Sequence, residues 1–396
     1  MIFNKSFRYE IPTIIEFGNG AIKKLPDHVK AFNGSKVLIV CDPGVLNAGV
    51  VARLSEPLDS AGIPYVIFSE IEPDPAIDSV DKGLHIAKEE SCDIVIGVGG
   101  GSSLDTAKAV GLMLNNPGHI RDYVGIDMVP NPSVPVIAVP TTAGTGSEIT
   151  IWSVLSDKEQ KVKLSVGSVY NCPDLALADP ELTTTLPPHI TAATGMDALT
   201  HALESYVNTA TQPISEGLSV QSMKMIADNL RLAVVQGENL EARSNMLLAS
   251  LIAAMAFNST RLGLAHALAI PLGAHFKIPH GTVNAILLPE VMKFNLIGNQ
   301  KKFAEIAAIF GVDTYHMTER EAAEEAVEAI RQLKNDIGIH ETLSDYGVTE
   351  SDLDFIAKEA MLSGNVAVNP RKPTLEDFKN ICRAAMQENK EQFVKL

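Results

Sequence analysis

Asp197 and His201 stand four residues apart in Gly195-Met196-Asp197-Ala198-Leu199-Thr200-His201, a spacing that puts both side chains on one face of a helix, one turn apart. Two further imidazoles follow: His266 after Leu262-Gly263-Leu264-Ala265, and His280 in Ile278-Pro279-His280-Gly281. One carboxylate with three imidazoles suits a borderline divalent metal, Fe²⁺ or Zn²⁺, better than Mg²⁺ or Ca²⁺. Spacing alone leaves the plainer alternative open. The chain has 10 histidines, and a single histidine on a helix is more often a core or surface residue than a ligand.

A second chemistry lies upstream. An apolar run at 93–98 leads into Gly99-Gly100-Gly101-Ser102 and then a helical stretch through Asp105 and Lys108. Glycines at a strand end let backbone N–H groups approach a pyrophosphate, and the helix N-terminus adds partial positive charge. A lone glycine triplet also serves as a tight turn. Here a second loop, Pro140-Thr141-Thr142-Ala143-Gly144-Thr145-Gly146-Ser147-Glu148, follows another apolar run, and two such loops at one sheet edge point to a dinucleotide. Asp42 directly follows the run at 36–41. A carboxylate there accepts from ribose hydroxyls and repels a 2′-phosphate, which favours NAD over NADP; an Asp-Pro-Gly turn also uses an aspartate for itself.

The elements that must position these residues change character along the chain. Runs at 36–41, 63–68, 93–98 and 134–139 read as buried strands between helices, hence a parallel sheet covered on both faces. Segments at 190–207, 214–235, 240–257, 319–337 and 374–393 carry apolar residues at helical spacing. The reading is an α/β N-terminal dinucleotide-binding domain with a Rossmann-like parallel sheet, residues 1–186. An all-α C-terminal metal-binding domain follows, residues 187–396, with Pro187-Pro188 at the boundary. A length of 396 residues fits two packed domains.

A net charge of -16 disfavours nucleic acid and anionic membrane surfaces as partners. The 4 cysteines are dispersed, with no C-x-x-C pair, and the first residues lack a signal-peptide core, so a cytoplasmic location is expected. No apolar run is expected to approach the length needed to cross a bilayer.

Taken in order, the glycine triplet with Asp105 and Lys108, the 140–148 loop, the Gly195 to His201 segment, and His266 followed by Pro279-His280-Gly281 resemble the iron-containing (group III) alcohol dehydrogenases. The likeness runs from Phe17-Gly18 to Asn369-Pro370-Arg371. The resemblance implies that Asp197, His201, His266 and His280 are the metal ligands. It implies that Asp42 contacts the adenosine ribose, Asp74 lies near the adenosine, and Gly99, Gly100, Gly101 and Ser102 hold the pyrophosphate. Thr141, Thr142 and Thr150 match further dinucleotide contacts, Lys163 and Leu182 positions around the nicotinamide ribose, and Phe257 an aromatic wall of the substrate pocket.

The sequence departs from the family at one place. Ile270-Pro271-Leu272-Gly273 stands where many members have a histidine associated with proton transfer or substrate handling. Ile270 would border the pocket one turn beyond His266 but accepts no proton, which leaves ordered water, the cofactor ribose or His275 as routes. The activity implied is hydride transfer between a small primary alcohol or its aldehyde and NAD, with NADP less favoured and Fe²⁺ or Zn²⁺ as Lewis acid, in a homo-oligomer. Alternatives are a hydroxy-acid or anionic-aldehyde reductase of the same family, a dehydroquinate-synthase-like lyase and a non-enzymatic scaffold. The lyase calls for a basic cluster around the metal, where Arg261 is the main candidate; intact ligand positions argue against the scaffold.

Overall fold

The computed structural model of the chain describes residues 6–387 apart from Pro73 and Lys161. Its strands are β1 (Ile14–Phe17), β2 (Val37–Val40), β3 (Tyr65–Phe68), β4 (Ile94–Gly99), β5 (Gly125–Ile126), β6 (Val136–Pro140), β7 (Trp152–Asp157), β8 (Val162–Gly167) and β9 (Leu175–Ala178). Six of them form one parallel sheet in the order β1-β9-β6-β4-β2-β3. Every residue of the inner strands β2, β4, β6 and β9 is buried, whereas β1 and β3 at the edges are partly exposed. That contrast is what helices on both faces of a parallel sheet produce. The covering helices are α1 (Leu25–Ala31), α2 (Pro43–Asn47), α3 (Val50–Ser60), α4 (Ile77–Glu89) and α5 (Gly101–Asn115).

The chain winds outward from β2 to β3, then returns to β4 on the other side of β2. The winding thus reverses between β2 and β4, and open α/β sheets take ligands outside the carboxyl ends of such a strand pair. The runs at 36–41 and 93–98 appear as β2 and β4. Those at 63–68 and 134–139 begin two residues late, at Tyr65 and Val136. Pro64 and Pro135 have no N–H to donate; their carbonyls instead accept from Val37 and Val95, at 3.0 Å each. A small second sheet, β5-β8-β7, with an antiparallel β7–β8 pair, is an addition to the expected all-parallel architecture.

From Pro188 onward the described residues form helices and loops without strands: α6 (Pro188–Val207), α7 (Pro213–Val235), α8 (Leu240–Thr260), α9 (Leu264–Phe276), α10 (His280–Asn295), α11 (Gln300–Ile309), α12 (Glu319–Asp336), α13 (Leu353–Met361) and α14 (Leu375–Ala385). The expected helix at 374–393 is α14, capped by Thr374 with Asp377 and ending at Ala385; the part beyond Gln387 lies outside the described residues. One expectation is corrected. By length and composition α8, with 21 residues, is apolar enough to cross a membrane. It is an inner helix instead, packed on α6 and α7 with Leu247, Leu251 and Ala253 buried; a long apolar helix in water has to bury its surface against neighbours.

Candidate functional site

The glycine loop opens at the carboxyl end of β4. Gly99 has φ +145°, and a Cβ there would stand 2.6 Å from Ser103 Oγ, so only glycine fits. Gly100 precedes α5, whose first turn carries Gly101 and the half-buried Ser102. Thr141 N donates to Gly99 O at 3.0 Å, which seats the 140–148 loop beside the triplet; a Cβ on Gly100 would lie 3.4 Å from Thr142 Cγ2. Asp42 serves its own turn and the loop at once. Its Oδ1 accepts from Val45 N at 3.0 Å, capping α2, and its Oδ2 accepts from Ser103 Oγ at 3.1 Å. Asp74 is exposed with φ +60° and pairs with Lys163 on β8. Thr150 is 3% exposed, and Leu182 is 2% exposed within the core beneath the sheet. Of the expected cofactor residues, Leu182 therefore offers a ligand no side-chain surface.

Asp105 and Lys108 brace the two loops. Lys108 is buried, and its Nζ donates to the carbonyl oxygens of Ser147, at 3.0 Å, and of Trp152, while pairing with Asp105 Oδ1 at 3.2 Å. Asp105 also accepts from Ser147 Oγ and, at 2.9 Å, from Val154 N. Beside them Glu148 is buried, and burial pushes its carboxyl up to about 7.

Across the cleft the helical half gathers Asp197 and His201 from α6, His266 from the first turn of α9 and His280 at the start of α10. Their Nε2 atoms stand 3.9, 3.6 and 3.7 Å from Asp197 Oδ1. Donors about 2.1 Å from a tetrahedral ion stand roughly 3.4 Å apart; Asp197, His201 and His266 form the compact group, with ligand atoms all within 4.8 Å of one another, and His280 adjoins it through Asp197. Asp197, His201 and His266 are buried; His280 is exposed and faces the opening. Burial opposes the Asp197 charge, but the three imidazoles outweigh it and hold the carboxyl far below the usual range. Burial likewise drives His201 down to about 3, against the pull of Asp197.

The outer nitrogens are tied as well. His201 Nδ1 meets Gly144 O at 3.2 Å, and His266 Nδ1 meets Glu204 Oε2 at 2.6 Å. These bonds leave both Nε2 atoms turned toward Asp197, the arrangement that metal-bound histidines use. Glu204 is 2% exposed and also accepts from Gly263 N at 2.8 Å and Ala265 N at 2.7 Å. Although burial opposes it, Glu204 pushes His266 up to about 9. A Cβ on Gly263 would come within 2.8 Å of Glu204 Oε1, which explains the glycine.

Phe257 lies on α8 with its ring 4.5 Å from that of His201. Ile270 is 40% exposed, one turn beyond His266. His275 is committed elsewhere: its Nε2 lies 3.1 Å from Glu359, and its ring meets Phe355 edge-on. Glu204 and Asn284 are the residues the sequence reading passed over. Both were reachable by the logic that paired Asp197 with His201, since Glu204 follows His201 by three positions and Asn284 follows His280 by four.

Residues 12–180 match the model of the iron-containing alcohol dehydrogenases, and residues 191–386 match that of the C-terminal part of the Fe-containing alcohol dehydrogenase family. The 1,3-propanediol dehydrogenase of Citrobacter freundii is 42% identical over 383 residues, covering 96% of this chain and 99% of the relative. A solved 1,3-propanediol oxidoreductase superposes with a TM-score of 0.94 at 42% identity, covering 96% of this chain and 100% of that one. The sulfoacetaldehyde reductase of Bifidobacterium kashiwanohense, solved in complex with NAD⁺, has a TM-score of 0.88 at 30% identity, with 97% and 100% covered. The chain belongs to the iron-containing alcohol dehydrogenase family. It is an oxidoreductase of the alcohol dehydrogenase and aldehyde reductase kind.

Proposed function

We propose that this enzyme exchanges hydride between NAD and a small primary alcohol or its aldehyde at a single Fe²⁺ or Zn²⁺ held by Asp197, His201, His266 and His280. The observation that carries the reading is the convergence of three imidazole nitrogens, 3.6–3.9 Å from one buried carboxylate oxygen, across a cleft from a glycine loop at a sheet switch point. Residues 1–186 form the dinucleotide half and 187–396 the metal and substrate half. Gly99, Gly100, Gly101 and Ser102 take the pyrophosphate, with Thr141 and Thr142 beside them, and Asp42 at the end of β2 favours a free ribose over a phosphorylated one. Asp74, Thr150, Lys163 and the backbone at Leu182 complete the dinucleotide site.

The chemistry supplied by the bound groups is Lewis-acid polarisation of the substrate oxygen and hydride exchange at the nicotinamide. The chain's own residues orient and exclude. Gly144 O and Glu204 fix the two buried imidazoles, and Phe257 and Ile270 wall the pocket and keep water from it. Ile270 neither holds nor accepts a proton, so this wall of the pocket supplies no acid or base to the alcohol. Lys163 near the opening is neutralised by Asp74, which supports an uncharged substrate. Four free, buried cysteines support a reducing, cytoplasmic setting. The apolar edge strand β1, with Ile14 59% exposed, supports a homo-oligomer.

Chelation should abolish turnover and Fe²⁺ or Zn²⁺ should restore it, with NAD outperforming NADP across a panel of short alcohols. His280→Ala should lose metal by elemental analysis and keep its fold. Full activity in a metal-free preparation would overturn the reading.

A further inference from the structure

Asn284 sits on α10 one turn beyond His280, with no exposed surface. Its Nδ2 stands 2.7 Å from Asp197 Oδ1, 3.1 Å from His266 Nε2 and 3.3 Å from His280 Nε2. Those are three of the four donor atoms that converge across the cleft. An atom so close to three converging donors lies beside their point of convergence. At the other end of the same amide, Oδ1 is buried and no protein group hydrogen-bonds it.

The two ends of this side chain answer a cation oppositely. An amide NH₂ carries partial positive charge and two N–H donors, whereas the carbonyl end has two lone pairs. Asp197 Oδ1, His266 Nε2 and His280 Nε2 would turn their lone pairs to the cation, leaving the NH₂ to compete with it for the same acceptors. A half-turn of the amide about its Cβ–Cγ bond exchanges the ends with almost no change of shape. It would also give the partnerless oxygen a partner.

We propose that Asn284 is a further group of the metal site and presents its amide oxygen to the cation. The proposal rests on the four-ligand reading above and extends it to a neutral oxygen donor, which leaves the net charge of the site unchanged and adds no titratable group. It makes α10 a two-point support, with His280 and Asn284 on one helical face.

The test is Zn²⁺ affinity of the purified full chain, read by competition with a chromophoric chelator. His201→Ala serves as the control for the four-ligand reading. Asn284→Leu keeps the branched outline and removes the oxygen, so affinity should fall about 10- to 100-fold, the usual cost of losing a group that supports a metal site. Asn284→Asp keeps an oxygen and adds charge, so it should bind at least as tightly as the parent. If the leucine variant does not fold by circular dichroism, Asn284→Ser, too short to reach, carries the same expectation as leucine. Parent-like affinity in the leucine or serine variant would overturn the proposal. So would an aspartate variant weakened as much as leucine, which would show that the N–H donated to Asp197 is what matters. If the parent binds no better than His201→Ala, the four-ligand reading itself fails, an outcome distinct from either of these.

Discussion

The two sides of the cleft are built by opposite means. On the sheet side the proposed functional surface is backbone, the loops at 99–102 and 140–148, and the side chains beneath it serve as bracing: Lys108 bonds loop carbonyls and Asp105. On the helical side the proposed functional surface is side chain, four donors from α6, α9 and α10, and the bracing reaches the two buried rings separately, His201 through Gly144 O and His266 through Glu204. A loop held by shared buried charge fails as a unit, whereas a cluster held ring by ring loses function before it loses structure.

Lys108→Met should give the largest effect. It leaves Asp105 without its cation and takes the ammonium donor from the Ser147 and Trp152 carbonyls, and breaking a buried pair from one side costs about 3–5 kcal/mol, read from denaturant midpoints. A variant of parent stability that merely bound NAD more weakly would erase the contrast. Glu204→Gln should be gentler on the fold and harsher on the site. It keeps an oxygen for only one of the two backbone amides, Gly263 N on Oε2 or Ala265 N on Oε1, and weakens the hold on His266, so metal affinity should drop roughly 10- to 100-fold by chelator competition. Equal losses of stability in the two variants would show that both sides are braced alike.

The smallest expected effect is a pH dependence on the sheet side. The folded protein holds the Glu148 proton up to about 7, against an ordinary 4.5, because burial disfavours the charge. A carboxyl raised in this way lends stability that is full below the unfolded value and is lost as pH rises toward the folded one. Stability should therefore fall between about 4.5 and 7, and Glu148→Gln should flatten that slope relative to the parent, measured by urea unfolding on either side of the window.

Much of this division was legible in the residues. The donors on α6 announced themselves by helical spacing, and the loop at 99–102 by glycines after an apolar run. The strands at 65–68 and 136–140 were placed two residues early because the apolar runs were read through Pro64 and Pro135, whose missing N–H was legible in the sequence. The hairpin of β7 and β8 was missed although Val162, Leu164 and Val166 alternate with polar residues, since attention to unbroken apolar runs hides half-exposed strands. Glu204, three positions after His201, was within reach of the same spacing logic, but its role shows only in its three donors, two of which are backbone amides that a sequence does not display. Leu182 matched a cofactor neighbourhood by position, and its side chain fills the core, so the backbone is the part of it left to a ligand.

The bond between His201 Nδ1 and Gly144 O joins these two constructions at one point. Gly144 has no slack, for a Cβ there would lie 2.7 Å from Thr194 Cβ on α6, so a displacement of the loop is felt at the imidazole. Binding equilibria coupled through one contact are reciprocal. Whatever factor a dinucleotide settling the loop lends to a cation settling His201, the cation returns to the dinucleotide, whichever arrives first.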